Sequence, residues 1–291
     1  MDSEIGDLPV GDVLIRGGLI AAVAPTLDAG GAEVIDATGA IVIPGLIDGH
    51  RHLWQALLRG AAADWSLQQY MAEARSMYCG CFDAEAAYLS NYLGGLESLS
   101  AGITTVVDHS HLQTCPQSTD ALVRGLLDSG VGGVFCYALQ NVPTFLDGAP
   151  VDIAAVRELV MRSPDEWHDE NATRVRAKFF GDPGQRLRFG VALPETAPYL
   201  PLDALRALLV RVGALEPFLV TGHWDVGAVD STIAALCEHQ DWPAHTSLTH
   251  CNHLDDDEMA ALAHADVGIC TTPDIECGMG SGPLVARRFL D

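Results

Sequence analysis

The sequence has very little positive charge. Its 291 residues include a single lysine, Lys178, and 16 lysines and arginines stand against 39 aspartates and glutamates, so the net charge is −23. Phosphates and anionic lipid headgroups would repel such a chain. We therefore expect neither nucleic acid nor a membrane as a partner.

Long apolar runs and targeting signals are also absent. The sequence contains no uncharged apolar window of about 18 residues, the length that a membrane-spanning helix requires. The first ten residues hold three acids and no base, which is unlike a secretory signal. These absences argue against a membrane-spanning or secreted protein.

The cysteines do not follow a disulfide or zinc-ribbon pattern. Eight are present, but Cys79 and Cys81 form a CxC pair and no CxxC motif accompanies them. Cys136 and Cys270 lie in apolar, strand-like runs, where reduced cysteine behaves as a small hydrophobic residue. The sequence thus predicts a reduced, cytoplasmic protein.

Residues 1–43 predict a small all-β element, part of a β-sandwich. Gly17 and Gly18 separate two apolar runs, which is a hairpin signal. The predicted strands are residues 12–16, 19–23, 33–36 and 40–43. This segment is too short to form a stable fold by itself.

Residues 44–291 alternate apolar strands with helical stretches, which indicates an α/β fold with a parallel sheet covered on both faces. Strands are expected at residues 45–48, 104–108, 133–137, 188–193, 218–222, 246–249 and 267–271. Helices are expected near residues 83–100, 119–129, 152–162, 202–212, 228–240 and 255–264. Both an open doubly wound sheet and a (β/α)8 barrel fit this alternation.

The polar residues favour the barrel. They follow nearly every predicted strand: His50, His52, Asp108, His109, Glu195, His223, His250 and Asp274. A barrel gathers all its strand ends around one axis, whereas an open sheet concentrates its chemistry at one switch point. No GxGxxG or P-loop motif is present. We therefore predict an incomplete (β/α)8 barrel over residues 44–291.

The strongest chemical motif is the pair His50 and His52 at the end of the first barrel strand. Side chains alternate along a strand, so both imidazoles point to the same side. Two imidazoles on one side can bind one divalent metal ion.

Residues 40–52, which contain this pair, resemble the first-strand signature of the amidohydrolase superfamily. The branch they resemble most holds the cytosine-deaminase-like and chlorohydrolase-like enzymes. Residues 101–108 are similar to that branch's second strand and residues 248–250 to its sixth. The resemblance covers essentially the whole chain and implies a metal-dependent (β/α)8 barrel flanked by a β-sandwich.

The resemblance also implies residue roles. His50, His52 and His223 would bind one divalent metal ion, with zinc expected first and iron second. His250 matches the histidine that faces the metal-bound water or the substrate. A bound ion lowers the pKa of its water, which supplies hydroxide at neutral pH. Lys178 precedes the fourth barrel strand, so it cannot bridge a second metal, and one metal is expected.

The sequence departs from the family pattern after the fifth barrel strand. The family's His-x-x-Glu motif is replaced by a stretch from His223 to Val226 without the glutamate. The acid/base candidates are therefore His250, Asp225 and Glu276.

A second departure concerns the last metal ligand. The family's aspartate ends strand eight, but the sequence reaches Asp291 before such a strand. This departure predicts a piece of a longer enzyme.

The expected function is hydrolysis of a C–N bond in a small-molecule substrate, either deamination or opening of a cyclic amide. Two alternatives remain at this point: lyase or isomerase chemistry on the same scaffold, and an inactive member used for binding. Trp54, Gln55 and His109 are candidate substrate contacts because they follow the metal motif and the second strand. We also expect a homo-oligomer.

Overall fold

A computed structural model describes residues 6–145, 148, 150–224 and 232–289. The chain divides into two compact units, Met1–Gly45 and Leu46–Asp291.

The first unit contains one antiparallel hairpin, formed by β1 (Asp12–Arg16) and β2 (Leu19–Ala24). Gly17 and Gly18 have φ values of 59° and 79°, as a two-residue hairpin turn requires. The predicted strands at residues 33–36 and 40–43 are wrong, because this segment is irregular. Its apolar side chains are exposed, Ile41 by 90%, and apolar character does not make a strand where no neighbouring strand supplies hydrogen bonds.

The second unit is built on a seven-stranded parallel sheet, as the alternating pattern predicts. Its strands pair in chain order: β3 (Leu46–Arg51), β4 (Ile103–Ser110), β5 (Gly132–Ala138), β6 (Leu187–Ala192), β7 (Val220–Trp224), β8 (Thr246–His250) and β9 (Gly268–Cys270). Every residue of β5 is buried, as expected at the centre of a sheet covered on both faces.

Helices follow most of these strands. They are α1 (Leu67–Tyr70), α2 (Ala84–Ser100), α3 (Pro116–Ser129), α4 (Ile153–Met161), α5 (Trp167–Phe179), α6 (Leu202–Ala214), α7 (Ile233–Glu238), α8 (Asp256–His264) and α9 (Pro273–Met279). Within the described ranges, no helix is long and apolar enough to cross a membrane.

Local signals explain the helix boundaries. Asp83 caps α2 by accepting a hydrogen bond from the backbone N–H of Ala86 at 2.8 Å. Asp255 and Glu258 form a reciprocal capping box at the start of α8. The sequence did not predict α5, which is rich in charged residues, or the short α9. Of the helix predicted at residues 228–240, residues 228–231 lie outside the described residues.

The sheet curves into a nearly closed barrel. β3 and β9 lie at opposite ends of the strand order and do not pair with each other among the described residues. Even so, a Cβ atom added at Gly49 in β3 would lie only 3.0 Å from Cys270 Sγ in β9. The curvature therefore brings the carboxyl ends of the strands around one centre.

Candidate active site

Six histidines meet at the carboxyl ends of β3, β4, β7 and β8: His50, His52, His109, His111, His223 and His250. The ring centroid of His50 lies 4.8 Å from those of both His52 and His223, and 5.8 Å from that of His250. The predicted convergence of the histidines is thus present in the geometry.

Successive side chains of β3 point to opposite faces of the sheet. Between the two histidines, Arg51 points to the helical layer, where its Nη2 lies 2.9 Å from Glu97 Oε2 of α2. His50 and His52 consequently face the other side, towards the strand ends.

The Nδ1 atoms of these two imidazoles have outer partners. His52 Nδ1 lies 2.9 Å from the backbone oxygen of His109, and a carbonyl only accepts, so His52 carries its proton on Nδ1. His50 Nδ1 lies 3.1 Å from Thr249 Oγ1. In both rings the Nε2 atom lies on the opposite edge, where it is available to bind a metal ion.

His223 and His250 are held in the same way by carboxylates. His223 Nδ1 lies 3.0 and 2.9 Å from the two carboxylate oxygens of Glu195. His250 Nδ1 lies 3.2 Å from Glu276 Oε1 and 3.1 Å from Thr272 Oγ1. Neutral His223 and His250 therefore keep the proton on Nδ1 and present an unprotonated Nε2.

The backbone at His250 is also unusual. His250 has a φ of 78° and Cys251 a φ of 54°, in the left-handed region that residues other than glycine rarely adopt. Backbone strain of this kind tends to occur at functional sites.

The donor set fits a divalent cation. His50 Nε2 and His223 Nε2 lie 3.0 Å apart, close to the roughly 3.3 Å expected between two nitrogens that bind one tetrahedral zinc ion. One ring nitrogen from each of His50, His223 and His250 lies within 4.8 Å of the other two. Because Glu195 keeps the proton of His223 on Nδ1, the lone pair of His223 Nε2 faces His50 Nε2, and a cation between the two nitrogens could bind both.

Burial favours the neutral form of five of these imidazoles: His50, His52, His109, His111 and His250. Loss of solvent lowers the pKa of His50, His52 and His109 well below the usual value, and the neighbouring histidines lower it further. Burial also lowers the pKa of His111 to about 3 and that of His250 to about 4. Neutral imidazole is the form that binds metal ions.

Glu195 contacts His223 and His111, although the sequence interpretation gave it no role. Burial acts to raise the pKa of Glu195, but His223, His111 and Arg75 together lower it well below its usual range. Arg75 is 3% exposed, and its Nη2 lies 3.3 Å from Glu195 Oε1. The position of Glu195 after the fourth barrel strand was the only sequence signal for this role.

A second group of donors lies beside the first. It contains His109, His111, Glu195 and His223, again with one donor atom from each within 4.8 Å of the others. The ring of His109 stacks on that of His223, with centroids 4.4 Å apart, and among the described residues neither of its buried ring nitrogens has a hydrogen-bond partner.

A cavity of about 790 Å³ opens above the histidines. His50, His52, His223 and His250 line it, as does Gln55, whose Nε2 donates to Tyr70 Oη at 2.6 Å. Apolar residues also line the cavity, among them Leu58, Trp65, Met71, Val160 and Ile275. The cavity combines a polar floor with apolar walls, as small-molecule sites do.

The remaining predicted residues lie elsewhere. Trp54 and His109 are fully buried and do not line the cavity, so their proposed contact with substrate gains no support from the geometry. Glu276 is also fully buried and contacts His250 rather than the cavity. Asp225 lies outside the described residues.

Comparison with known proteins gives a consistent result. The model of the amidohydrolase family matches residues 41–282. The chain is 29% identical, over 96% of its length, to the 5-methylthioadenosine/S-adenosylhomocysteine deaminase of Symbiobacterium thermophilum, of which it covers 62%. It is 32% identical, over 98% of its length, to the protein of the same name from Thermococcus kodakarensis, of which it covers 64%.

A solved structure shows the same fold. The chain superimposes along its whole length on a variant of the atrazine chlorohydrolase from Arthrobacter aurescens TC1, complexed with zinc and atraton, with a TM-score of 0.76 and 21% identity. It covers 67% of that chain, and it spans about 62–64% of the length of the two deaminases. The match to the family model over residues 41–282, together with the barrel and its histidines, shows that this chain belongs to the amidohydrolase family.

Proposed function

We propose that this chain is part of a metal-dependent deaminase, which hydrolyses a C–N bond of an amino-substituted heterocycle and releases ammonia. The observation that supports this most directly is the approach of His50 Nε2 to His223 Nε2, at 3.0 Å, on the floor of a cavity of about 790 Å³. Its curated relatives are named as deaminases.

The proposed cation ligands are His50 and His223, with His52 as the third from the sequence motif. His250, whose ring nitrogen clusters with those of His50 and His223, is given a separate role below. We expect zinc, with iron as the second choice, because imidazole nitrogens suit both. A bound divalent cation supplies Lewis acidity, which makes water acidic enough to act as a nucleophile near neutral pH. The protein's own contribution is to hold each ring by its Nδ1 atom, so that the Nε2 atoms are positioned before any ligand arrives.

His250 is the proposed proton carrier. Its side chain lines the cavity, and Glu276 and Thr272 hold its Nδ1 atom, so the unprotonated Nε2 is the atom that can accept a proton. Glu276 stabilises the positive charge that His250 gains when it is protonated, as a buried carboxylate does in other histidine-based sites. Asp225 stays a candidate acid/base residue from the sequence.

The cavity accommodates a molecule of nucleoside size. One N–H of the Gln55 amide donates to Tyr70 Oη, so its second N–H and its amide oxygen remain to contact the substrate. The apolar wall would pack against the faces of a heterocycle, since pockets bind small ligands mostly by apolar contact. A methylthio-substituted adenine nucleoside is the first substrate to test, because the relatives' names include it.

Two alternatives are not favoured. Lyase or isomerase chemistry would use the same scaffold, and an inactive member would use the cavity for binding alone. The relatives named as deaminases weigh against both.

The test is ammonia release. The chain, loaded with Zn²⁺, would be incubated with 5′-methylthioadenosine, adenosine and guanine, and ammonia would be measured by a coupled assay. We expect release with at least one substrate, and at least a tenfold loss in the His223→Asn variant but not in the matched surface variant His264→Asn. Absence of ammonia with every substrate, although zinc is bound, would contradict the deaminase assignment.

We also propose a cytoplasmic homo-oligomer with no nucleic-acid or membrane partner. The net charge of −23 argues against a nucleic-acid or membrane partner. The apolar side chains of Leu46 and Ile47 in β3, which are 52% and 72% exposed, support self-association. Sedimentation at several protein concentrations would test self-association, and a monomer at all of them would contradict it. Fractionation of the source cells would test location.

A further inference from the structure

Glu195 holds the proposed ligand His223 by both of its carboxylate oxygens. Oε1 lies 3.0 Å and Oε2 2.9 Å from His223 Nδ1. The two residues come from neighbouring strand ends, Glu195 after β6 and His223 in β7. A carboxylate accepts only, so the proton of His223 must sit on Nδ1.

Arg75 holds Glu195 in turn. The Nη2 of Arg75 lies 3.3 Å from Glu195 Oε1, and it also donates to Gln140 Oε1 at 3.2 Å. Arg75 ends the π-helical turn Met71–Arg75. Because the guanidinium is buried between two acceptors, it restricts the carboxylate to the orientation that faces His223.

His111 approaches Glu195 from another side. Trp54 Nε1 donates to His111 Nδ1 at 3.1 Å, and an indole N–H only donates, so neutral His111 carries its proton on Nε2. That Nε2 lies 3.2 Å from Glu195 Oε1. In the part of the chain that the structure describes, Nε2 has no well-aligned hydrogen-bond partner, so this is a close electrostatic contact between an N–H dipole and a carboxylate.

This proton arrangement decides between two uses of the group formed by His109, His111, Glu195 and His223. As a second metal site, the group would need a lone pair on His111 Nε2 while Nδ1 still accepts from Trp54. Both nitrogens of His111 would then lack a proton, and the ring would be an anion. The hydrogen bond from Trp54 therefore favours a network that orients His223.

We infer that Glu195 is a positioning residue for His223: held by Arg75 and His111, it fixes the His223 proton on Nδ1 and so directs Nε2 to the metal site. This inference rests on the proposed metal site and adds to it a residue outside the family motifs given above. Its predicted consequence is one cation per chain, with an affinity that depends on a side chain that does not bind the cation.

The experiment compares metal affinity in Glu195→Gln with that in Glu216→Gln. Glutamine keeps the size of Glu195 but has only one acceptor oxygen. Its NH₂ group would face the N–H donors of His223, His111 and Arg75, to which it cannot bond. Glu216 is an exposed partner of Arg176, which makes it a matched control. Co²⁺ is the probe, because its visible absorption reports both binding and ligand geometry, and competition with a chelator gives the dissociation constant.

We expect Glu195→Gln to bind Co²⁺ about 10–100-fold more weakly, with an altered spectrum, as for outer partners of metal-binding histidines. Glu216→Gln should match the wild type, and Glu195→Asp should recover part of the loss. Equal affinities and spectra for wild type and Glu195→Gln would overturn the inference, and so would two Co²⁺ per chain in the wild type. A wild type that binds no Co²⁺ would instead overturn the metal site on which the inference rests.

Two further measurements separate positioning from loss of fold. Thermal unfolding identifies a Glu195→Gln protein that does not fold, in which case Trp54→Phe serves as the test, because it removes the indole N–H and keeps an aromatic ring. In the double variant Trp54→Phe/Glu195→Gln, a connected network predicts a smaller loss than the product of the single losses. Independent, multiplicative losses would contradict the network.

Discussion

The Nε2 atoms of His50 and His223 lie 3.0 Å apart, although 173 residues separate the two histidines in the chain. One residue comes from β3 and the other from β7, and the closure of the sheet brings them together. Because the Nδ1 atom of each ring has its own partner, the facing nitrogens are positioned as a pair for one cation.

Replacing His50 should abolish tight metal binding. His50→Asn removes one of the paired nitrogens, and we expect a loss at least as large as the 10–100-fold that removal of an outer partner costs. Metal content after gel filtration, measured by elemental analysis, checks this. The exposed His264→Asn serves as the control. Stoichiometric metal in His50→Asn would show that His50 is not a ligand.

Glu276 should matter for turnover more than for substrate binding. Its Oε1 accepts from the Thr272 N–H at 2.7 Å and contacts His250 Nδ1, so Glu276→Gln weakens the hold on the proposed proton carrier. We expect kcat to fall about 10–100-fold with KM little changed. Steady-state kinetics would be compared with those of the exposed Glu238→Gln. A change confined to KM would assign Glu276 to substrate binding instead.

Acid should destabilise the fold through His168, which is remote from the metal site. Burial lowers its pKa from 6.5 to about 4, and the ring contacts Tyr137 Oη at 3.0 Å. Below pH 6.5 the unfolded chain takes up a proton that the folded chain refuses, so this stability is complete above 6.5 and is lost as the pH falls towards 4.

The variant His168→Gln isolates this effect. Glutamine has no titrating group, so between about pH 6.5 and pH 4 the free energy of unfolding of the wild type should fall more steeply than that of the variant, by up to about 1.4 kcal/mol per pH unit. Urea unfolding at several pH values measures both slopes. Parallel slopes would show that His168 contributes nothing to acid sensitivity.

Two glycines should respond oppositely to alanine. At Gly125 in α3, a Cβ would lie 2.5 Å from the Tyr88 backbone oxygen and 2.9 Å from the Tyr92 nitrogen of α2, so the helices would have to separate. We expect Gly125→Ala to lower the free energy of unfolding by about 1–3 kcal/mol. At Gly213 in α6, a Cβ meets nothing within 4 Å. We expect Gly213→Ala to raise the free energy of unfolding, by at most about 1 kcal/mol. Thermal and urea unfolding would compare the two variants, and equal effects would contradict the close packing of α2 on α3.

The sheet was predictable because its signals are local. Each of the seven strands contains a short apolar run, and in β3, β7 and β8 a histidine lies at the carboxyl end. The strands proposed at residues 33–36 and 40–43 failed because their apolar runs look the same in the sequence but find no partner strand among the described residues. The missed helix α5 carries charges around much of its surface, so apolar spacing gives little signal there.

The residues around the proposed metal site were predictable only in part, for a related reason. His50 and His52 lie two residues apart, and this spacing is visible in the sequence. Glu195 acquires its role from Arg75, 120 residues away, and from His223 on the next strand. No spacing rule connects those three positions, so only the folded sheet reveals the contact.

The place of β3 at one end of the strand order has a consequence for how fast a bound metal ion is released. This strand carries His50 and leads into His52, yet in the described part of the chain its backbone pairs with β4 alone. Side-chain contacts add to this pairing, among them Arg51 with Glu97, the Asp108 carboxylate with the Leu53 N–H, and His50 with Thr249. Segments with few backbone partners open without global unfolding. The rate at which a bound ion leaves would therefore follow the local opening of β3, and amide hydrogen exchange in this strand would report it.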